Sequence, residues 1–445
     1  MGGEHPTYWI DTWGCQMNDA DSAAVARLLE GQGYLRTDSA EDADLILLNT
    51  CCVRAKPEEK VYSRLGELRA VKRRRPETVI AVAGCMAQKE GDALRRRAPH
   101  IDLILGTQRL HRLPALAEQA RSTGQRTTDI LLSANPAGQS PPWLAATATP
   151  DQPLKALVNV MQGCTNFCAY CIVPYVRGPE HSRRAEEIVC EIEALAAGGC
   201  REVTLLGQNI LAYGRDLADG THFAELLAMV NDIAALQRIR FTTSHPRDLD
   251  DAVIGAIADL PKVCEHLHLP LQAGDDELLR RMKRGYTVEH YLGLADRLRE
   301  RVPGVSLTTD LIVGFPGETE EQFERSLGTY RRIRFDQAFT FAYSPREGTT
   351  AARLPGQLSR AEKQSRLARL IALQNEISTA INREWVGRTV QVMVEGPSES
   401  NPDRLMGRAR NHKVVILPKA DLAPGTLVEA RLTGARLWGW EAEVV

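Results

Sequence analysis

Short, almost wholly apolar runs recur in the first quarter of the chain, each followed by a stretch of helical period: YWIDTW, ADLILLN, TVIAVAG and IDLILG. Runs that lack in-and-out alternation mark strands buried on both faces, and their alternation with helices predicts a parallel sheet covered on both sides. Helices are expected from about Ala20 to Gly31, capped by Asp19 or Asp21, across Glu58 to Lys72, and around Gln88 to Arg97. Residues 126–150, rich in Ser, Thr, Gly and Pro, then read as a linker.

Near Leu154 the alternation resumes and lasts to about Tyr343, giving six candidate strands: LKALVNVM, EVTLLG, RIRFTT, HLHLPL, VSLTTDLIVG and QAFTFAY. Helices such as Ala185 to Ala197 and Asp276 to Met282 lie between them. A complete eight-unit barrel takes about 250 residues, so six units predict an incomplete, laterally open (β/α)6 barrel. Residues 358–385 form a charged amphipathic helix. Beyond it TVQVMVEG, KVVILP, TLVEARL and LWGWEAEVV alternate in period two between Gly and Pro turns, which predicts a small antiparallel β-barrel. The fold class is therefore α/β, with domains over 1–125, 151–384 and 385–445.

Composition supports several globular domains: 445 residues, 43% hydrophobic and 25% charged. No apolar run approaches the roughly 18 residues of a membrane span, and MGGEHPTYWI lacks a basic region followed by an apolar one, so a cytoplasmic location with no membrane partner is expected. A net charge of −2 gives no overall basic bias, so any nucleic-acid site must be a local patch. The arginine-rich stretches Lys72–Arg75 and Arg95–Arg97 fall in helical segments and read as solvated faces.

The ten cysteines change the picture most. In a reducing cytosol, clusters of them read as metal ligands or catalytic groups rather than disulfides. Cys164, Cys168 and Cys171 lie in MQGCTNFCAYCIVPY, directly after the first strand of the barrel-like region. Three thiolates in one loop can hold three irons of a four-iron cluster and leave the fourth open. S-adenosylmethionine can chelate such an iron through its amino and carboxylate groups, and electron transfer then yields a deoxyadenosyl radical. A structural zinc site would instead close with four ligands, usually from paired C-x-x-C units.

The C-x-x-x-C-x-x-C spacing resembles the radical S-adenosylmethionine superfamily, and Gly207, Gln208 and Asn209 end the second strand, where a member of it would have backbone to meet the methionine amine. Asp310, with Gly314 to Glu318, is placed at the end of the fifth, where adenine or ribose would sit.

Cys15, Cys51 and Cys85 share no linear motif, yet each follows an apolar strand, and in a parallel sheet such strands end at one edge. Their thiolates can converge there, with Gly14 and Gly84 allowing close backbone approach. A second four-iron cluster with one open iron is expected. Cys52 is read as packing, and Cys190, Cys200 and Cys264 receive no role.

With these motifs in place the whole chain resembles the methylthiotransferases of the radical S-adenosylmethionine superfamily. The residues that carry the likeness include TWGCQMNDADS, NTCCVRAKPEEKVYSRLG, AGCMAQKEG, GCTNFCAYCIVPYVRGPEHSRR, LLGQNILAYG, TTSHP, HLPLQAGDD, TTDLIVGFPGETEEQF and YSPREGTTAA. GQN with AYG and SHP favours the subgroup acting on isopentenylated tRNA over those acting on a ribosomal-protein aspartate or on threonylcarbamoyladenosine. The resemblance implies an amino-terminal cluster domain, a radical SAM barrel and a carboxy-terminal RNA-binding TRAM barrel. Cys15, Cys51 and Cys85 would bind the auxiliary [4Fe-4S] cluster, and Cys164, Cys168 and Cys171 the radical-generating one.

The implied reaction puts a methylthio group on carbon 2 of isopentenyladenosine at position 37, beside the anticodon. Its implied partners are a tRNA anticodon stem-loop, a reductant such as flavodoxin or ferredoxin, and a sulfur source, with the enzyme acting as a monomer. An inert aromatic C–H bond calls for a radical, and an open iron on a second cluster can carry sulfur. Arg404, Arg408, Arg410 and Lys413 of RLMGRARNHKVVI are candidates to grip phosphate, and Arg177, Arg183 and Arg346 are candidates for the substrate pocket.

Overall fold

The computed structural model describes residues 5–52, 55–132 and 154–445. The first unit is a six-stranded sheet, parallel throughout, in the order Leu35–Arg36, Thr7–Thr12, Leu45–Thr50, Val79–Gly84, Leu103–Leu105, Thr127–Asp129. LILLNT and VIAVAG are buried at every position, as strands packed on both faces must be. The chain winds outward in both directions from Thr7–Thr12 and Leu45–Thr50, so the crevice at their carboxyl ends is a topological switch point, where open α/β sheets place their sites.

Several sequence expectations change here. The first helix spans Gln16–Glu30, four residues earlier than expected, with Cys15 rather than an aspartate at its N-cap. Asp19 lies in the first turn, and Asp21 is buried in the helix body. The expected helix from Gln88 to Arg97 is two short ones, Cys85–Glu90 and Asp92–Arg97, broken at Gly91 where φ is +50°. Within the stretch expected as linker, Thr127–Asp129 adds a strand to the sheet, and residues 133–150 lie outside the described residues.

All six barrel strands appear, as Lys155–Asn159, Glu202–Leu206, Arg238–Thr242, His266–His268, Ser306–Val313 and Gln337–Ala342. They pair in parallel as two three-stranded sheets, joined by a bridge between Ile239 and Val263. Among the described residues no ladder joins the first strand to the sixth, so the barrel is open. Helix Arg360–Glu384, capped by Ser359, packs along the sixth strand. Helix Gln16–Glu30 packs along the first, where Met17 and Ala20 meet Leu157 and Leu206.

The carboxy-terminal barrel is closed and has five strands: Thr389–Ser398, Asn401–Ala409, Val414–Pro418, Leu427–Arg436 and Gly439–Val444. It is not wholly antiparallel, because Val414–Pro418 pairs in parallel with Gly439–Val444. Sequence reading missed Asn401–Ala409 because its inward positions, Leu405, Gly407 and Ala409, are mostly small. Gly407 is required there: a Cβ would lie 2.5 Å from Val392 Cγ1. Among the described residues no helix is long and apolar enough to cross a membrane.

Candidate functional site: two cysteine sets

The amino-terminal set forms at the switch point as the topology requires. Cys15 follows the first strand, Cys51 the adjacent one and Cys85 the next. A Cβ on Gly14 would lie 2.6 Å from Cys51 Cβ, and one on Gly84 would lie 2.4 Å from the Thr50 carbonyl, so both positions need glycine for the strand ends to meet. Cys15 heads a helix, where free backbone N–H groups favour an anion. Its thiol is lowered to about 6, first by a hydrogen bond from Cys51, then by Arg177 and the N–H groups of Asn18 and Met17, all against burial. Cys85 is lowered to about 7, first by a hydrogen bond from Cys52 and then by Arg177. Cys52 therefore does more than pack: it stands against the Cys85 sulfur.

Under these thiols lies a buried polar cluster. Asn18 donates to Asn49 Oδ1 at 3.2 Å and to the Thr50 carbonyl at 3.0 Å, and accepts from Cys15 Sγ at 3.5 Å. Asn49 donates to Ser22 Oγ at 2.9 Å. Three polar residues of QMNDADS, Asn18, Asp21 and Ser22, are thus buried, an inversion of the usual helix pattern that a site explains and a core does not.

The second set lies on the loop from Gly163 to Gly178. The short Met161–Gln162 and His181–Ser182 ladder closes its base, and Cys164 N–H bonds the Gly178 carbonyl at 3.1 Å. Gly163 makes the pinch possible, since a Cβ would lie 1.8 Å from the Pro179 carbonyl oxygen. Cys168 Sγ accepts from Arg284 Nη1 at 3.2 Å, and Arg284 is buried, donating also to Pro270 O at 2.9 Å and Tyr286 at 3.0 Å. Burial pushes Cys164 up to about 11 and, together with the Cys168 charge, pushes Cys171 up to about 12.

Polar atoms without partners gather at the carboxyl ends of the second and third strands. Gln208 Nε2 and Oε1, Asn209 Oδ1, Ser244 Oγ and His245 Nε2 are all buried and unpaired. Ile210 N–H bonds the Thr243 carbonyl at 2.9 Å, and Asn209 donates to Asp248 at 2.7 Å, so the two ends form one rim. Arg247 joins that rim to the cysteine loop by donating to Asn166. Orphaned polar groups at a barrel mouth fit a polar ligand such as S-adenosylmethionine. Asp310 is not at a strand end, as expected, but at the fifth of eight residues in Ser306–Val313, with Oδ1 3.6 Å from His268 Nε2.

Among the described residues no three His, Cys, Asp or Glu side chains converge closely enough to hold a single metal ion. A cluster asks for something else, because its irons occupy separate corners and its thiolates stand apart. Both sets match that donor chemistry: three thiols each, with Cys15 and Cys85 of one set polarised toward thiolate and the other set on a loop with a buried arginine at its central sulfur.

Arg177 links the two sets, a relationship its sequence position does not reveal. It follows Cys171 on the helix Val173–Arg177, which packs on the helix that begins at Cys85. Thr107 Oγ donates to the Val176 carbonyl at 2.7 Å and Gln108 Nε2 to that of Arg177 at 3.3 Å. Burial opposes the Arg177 charge, but Asp21, Cys85 and Cys15 outweigh it and hold the guanidinium protonated. Arg183, by contrast, is tied to the Asn159 carbonyl and Glu191.

Three of the four cations expected to grip phosphate are spent within the protein. Arg410 chelates Glu265 at 2.7–3.0 Å and donates to the Pro261 and Val263 carbonyls. Lys413 is buried against Asp336 at 2.7 Å and Asn382 at 2.6 Å, and Arg408 pairs with Glu395 at 3.1 Å. The first two fasten the small barrel to the large one. Arg404 is half-buried, with Nε on the Leu417 carbonyl at 3.1 Å.

Three family models match the chain: Radical SAM superfamily over residues 158–329, Uncharacterized protein family UPF0004 over 7–106, and TRAM domain over 383–445. A protein of Moorella thermoacetica is 50% identical over 441 residues, covering 99% of this chain and 98% of its own length. One of Desulforamulus reducens is 47% identical over 440 residues, covering 98% and 95%. Both bear the name tRNA-2-methylthio-N(6)-dimethylallyladenosine synthase. Among solved structures, the radical S-adenosylmethionine methyltransferase TsrM of Kitasatospora setae aligns with TM-score 0.56 at 15% identity, over 78% of this chain and 74% of that one. The cobalamin-dependent S-adenosylmethionine radical enzyme OxsB aligns with TM-score 0.54 at 11% identity, over 83% and 56%. These two likenesses concern the fold.

Proposed function

We propose that this chain, which belongs to the tRNA-2-methylthio-N(6)-dimethylallyladenosine synthase family, attaches a methylthio group to carbon 2 of isopentenyladenosine at position 37 of tRNA. The observation that carries the reading is the pairing of two three-cysteine sets at strand carboxyl ends, tied together through Arg177. Bound there, two [4Fe-4S] clusters and S-adenosylmethionine supply one-electron chemistry for an inert aromatic C–H bond and an iron site for sulfur.

The chain's own residues do the rest. Cys15, Cys51 and Cys85 hold the auxiliary cluster, and Cys164, Cys168 and Cys171 the radical-generating one. Arg284 supports the Cys168 thiolate by its 3.2 Å bond. The rim from Gly207 to Asn209, with Asp310 across the barrel, holds S-adenosylmethionine. Gln208 is its most direct contact, since both amide atoms are unpaired in the protein.

Phe167 and Tyr175 stand half-exposed beside the cysteine loop, ring centroids 6.0 Å apart and edge to face. Exposed aromatic faces suit an unstacked anticodon-loop base. Arg404 is the phosphate contact in the small barrel. A flavodoxin- or ferredoxin-type donor supplies electrons, a separate source supplies sulfur, and the enzyme works in the cytoplasm as a monomer.

An anaerobic assay with S-adenosylmethionine, reductant, sulfide and tRNA carrying isopentenyladenosine tests this, with nucleosides read by mass spectrometry. A methylthio nucleoside that disappears in Cys15→Ala and in Cys164→Ala is expected. Deoxyadenosine without modified tRNA would overturn the substrate and point to a ribosomal-protein aspartate or threonylcarbamoyladenosine.

A further inference from the structure

Arg177 has a buried donor, Nη1, that makes no hydrogen bond of its own, beside the Cys85 thiol that the guanidinium lowers. Its side chain is 3% exposed. Nη2 is used twice, on Asp21 Oδ2 at 2.9 Å and on Asn18 Oδ1 at 3.3 Å. Asp21, 1% exposed, is held in turn by Asn159 Nδ2 at 3.1 Å. Nη1 is buried and has no hydrogen-bond partner. Cationic donors left unmade in a protein interior are rare, and each one calls for an explanation.

The surroundings supply one. The guanidinium donates to Asn18 Oδ1 at 3.3 Å, which also accepts from Cys15 Sγ at 3.5 Å, and its charge acts on Cys15 and Cys85, so the free N–H belongs to the amino-terminal cysteine set. The Asp21 carboxylate holds the opposite side of the guanidinium and fixes its plane.

We propose that Arg177 holds the anionic sulfur ligand of the auxiliary site, hydrosulfide or methylsulfide, by donating its free Nη1–H to that sulfur, with Asp21 as the residue that orients it. This rests on the reading of Cys15, Cys51 and Cys85 as cluster ligands and adds the residue that recognises the cargo. Because Arg177 rides on the loop of Cys164, Cys168 and Cys171, the held sulfur is registered to the radical-generating set through a single covalent segment.

The test uses the full chain with Cys164, Cys168 and Cys171 replaced by Ala, so that only the amino-terminal set loads. About four irons per chain are expected in this parent, and a parent without iron would sink the cluster reading itself, whatever Arg177 does. Sodium hydrosulfide and sodium methanethiolate are then titrated into the reduced protein, followed by its paramagnetic resonance spectrum, and the midpoint potential is measured.

Adding Arg177→Gln should weaken binding of both anions by about tenfold or more and lower the potential, because a positive charge has gone. Arg177→Lys should fall between. Asp21→Asn removes a negative charge and should move the potential the other way, which a merely structural role for the pair would not do. Unchanged affinity in an iron-loaded Arg177→Gln protein overturns the proposal, as do potential shifts of the same sign in Arg177→Gln and Asp21→Asn. Should Arg177→Gln fail to load, unchanged anion affinity in Arg177→Lys with an unmoved potential in Asp21→Asn overturns it equally.

Discussion

Asp21 and Arg177 form a 2.9 Å ion pair that both side chains make out of contact with solvent, one from the helix after Cys15 and the other from the loop after Cys171. Removing one member of a buried pair leaves an uncompensated charge, whereas removing both removes the problem. Asp21→Ala should therefore cost about 3–5 kcal/mol of stability, and the Asp21→Ala, Arg177→Met double variant clearly less than Asp21→Ala alone. Urea unfolding of the cluster-free parent, Asp21→Ala, Arg177→Met and the double variant checks this, and additive costs would contradict it.

Arg284 offers a separable defect. Its Nη1 donates to Cys168 Sγ at 3.2 Å and its other bonds are internal. Arg284→Met should lower deoxyadenosine formation by about 10–100-fold, the usual effect of losing a partner of a metal ligand. Hydrosulfide binding at the other set should not change. Equal loss of both would place Arg284 in the general fold.

Thiol chemistry of the cluster-free protein should divide the two sets by pH. Cys15 is lowered to about 6, chiefly by its bond from Cys51, so it is thiolate at neutral pH and gains its proton as pH falls through that value. Burial lifts Cys164 to about 11 and Cys171 to about 12, and both stay protonated until strongly alkaline conditions. Iodoacetamide at about pH 7 should label Cys15 before either of them, with a rate that drops toward about pH 5. Peptide mass spectrometry reads the order, and early labelling of Cys164 or Cys171 would refute it.

Gly84→Ala should erase one cluster and spare the other. The new methyl would sit 2.4 Å from the Thr50 carbonyl at a φ of +90°, forcing the Cys51 and Cys85 strand ends apart. Iron content should fall from about eight to about four per chain while deoxyadenosine is still formed. Retention of about eight irons would show that the strand ends can part without losing the site.

The positions of six cysteines were legible because each follows an apolar run or lies in one tight loop, and a parallel sheet carries its strand ends to one edge. The pairing of Asp21 with Arg177 was not, because 156 residues separate them and the two motifs that contain them carry no sign of contact with each other. Cys15 was missed as a helix start because capping preferences favour short oxygen-bearing side chains, and here a thiol takes the position. Arg410 and Lys413 misled for a different reason. A basic residue reads alike whether it faces phosphate or a carboxylate on another domain, and here Glu265 and Asp336 claim them.

That reassignment is itself measurable. Each lysine or arginine that neutralises a phosphate steepens the salt dependence of RNA binding by roughly one power. Arg410→Ala should leave the slope of log affinity against log salt unchanged while making the small barrel easier to cleave away by protease. A slope shallower by about 0.7–0.9 would return Arg410 to the RNA.

The helix Gln16–Glu30, laid along Lys155–Asn159, has a consequence for how the protein stays dispersed. An open barrel ends in a strand with one row of N–H and C=O groups unspent, a ready template for another chain. The amino-terminal domain covers that strand and packs the half-buried Leu157 against Met17 and Ala20. Cut away from it, the central barrel would present a bare, partly apolar border and zip onto its neighbours. The cluster domain thus shields one border of the barrel from within the same polypeptide.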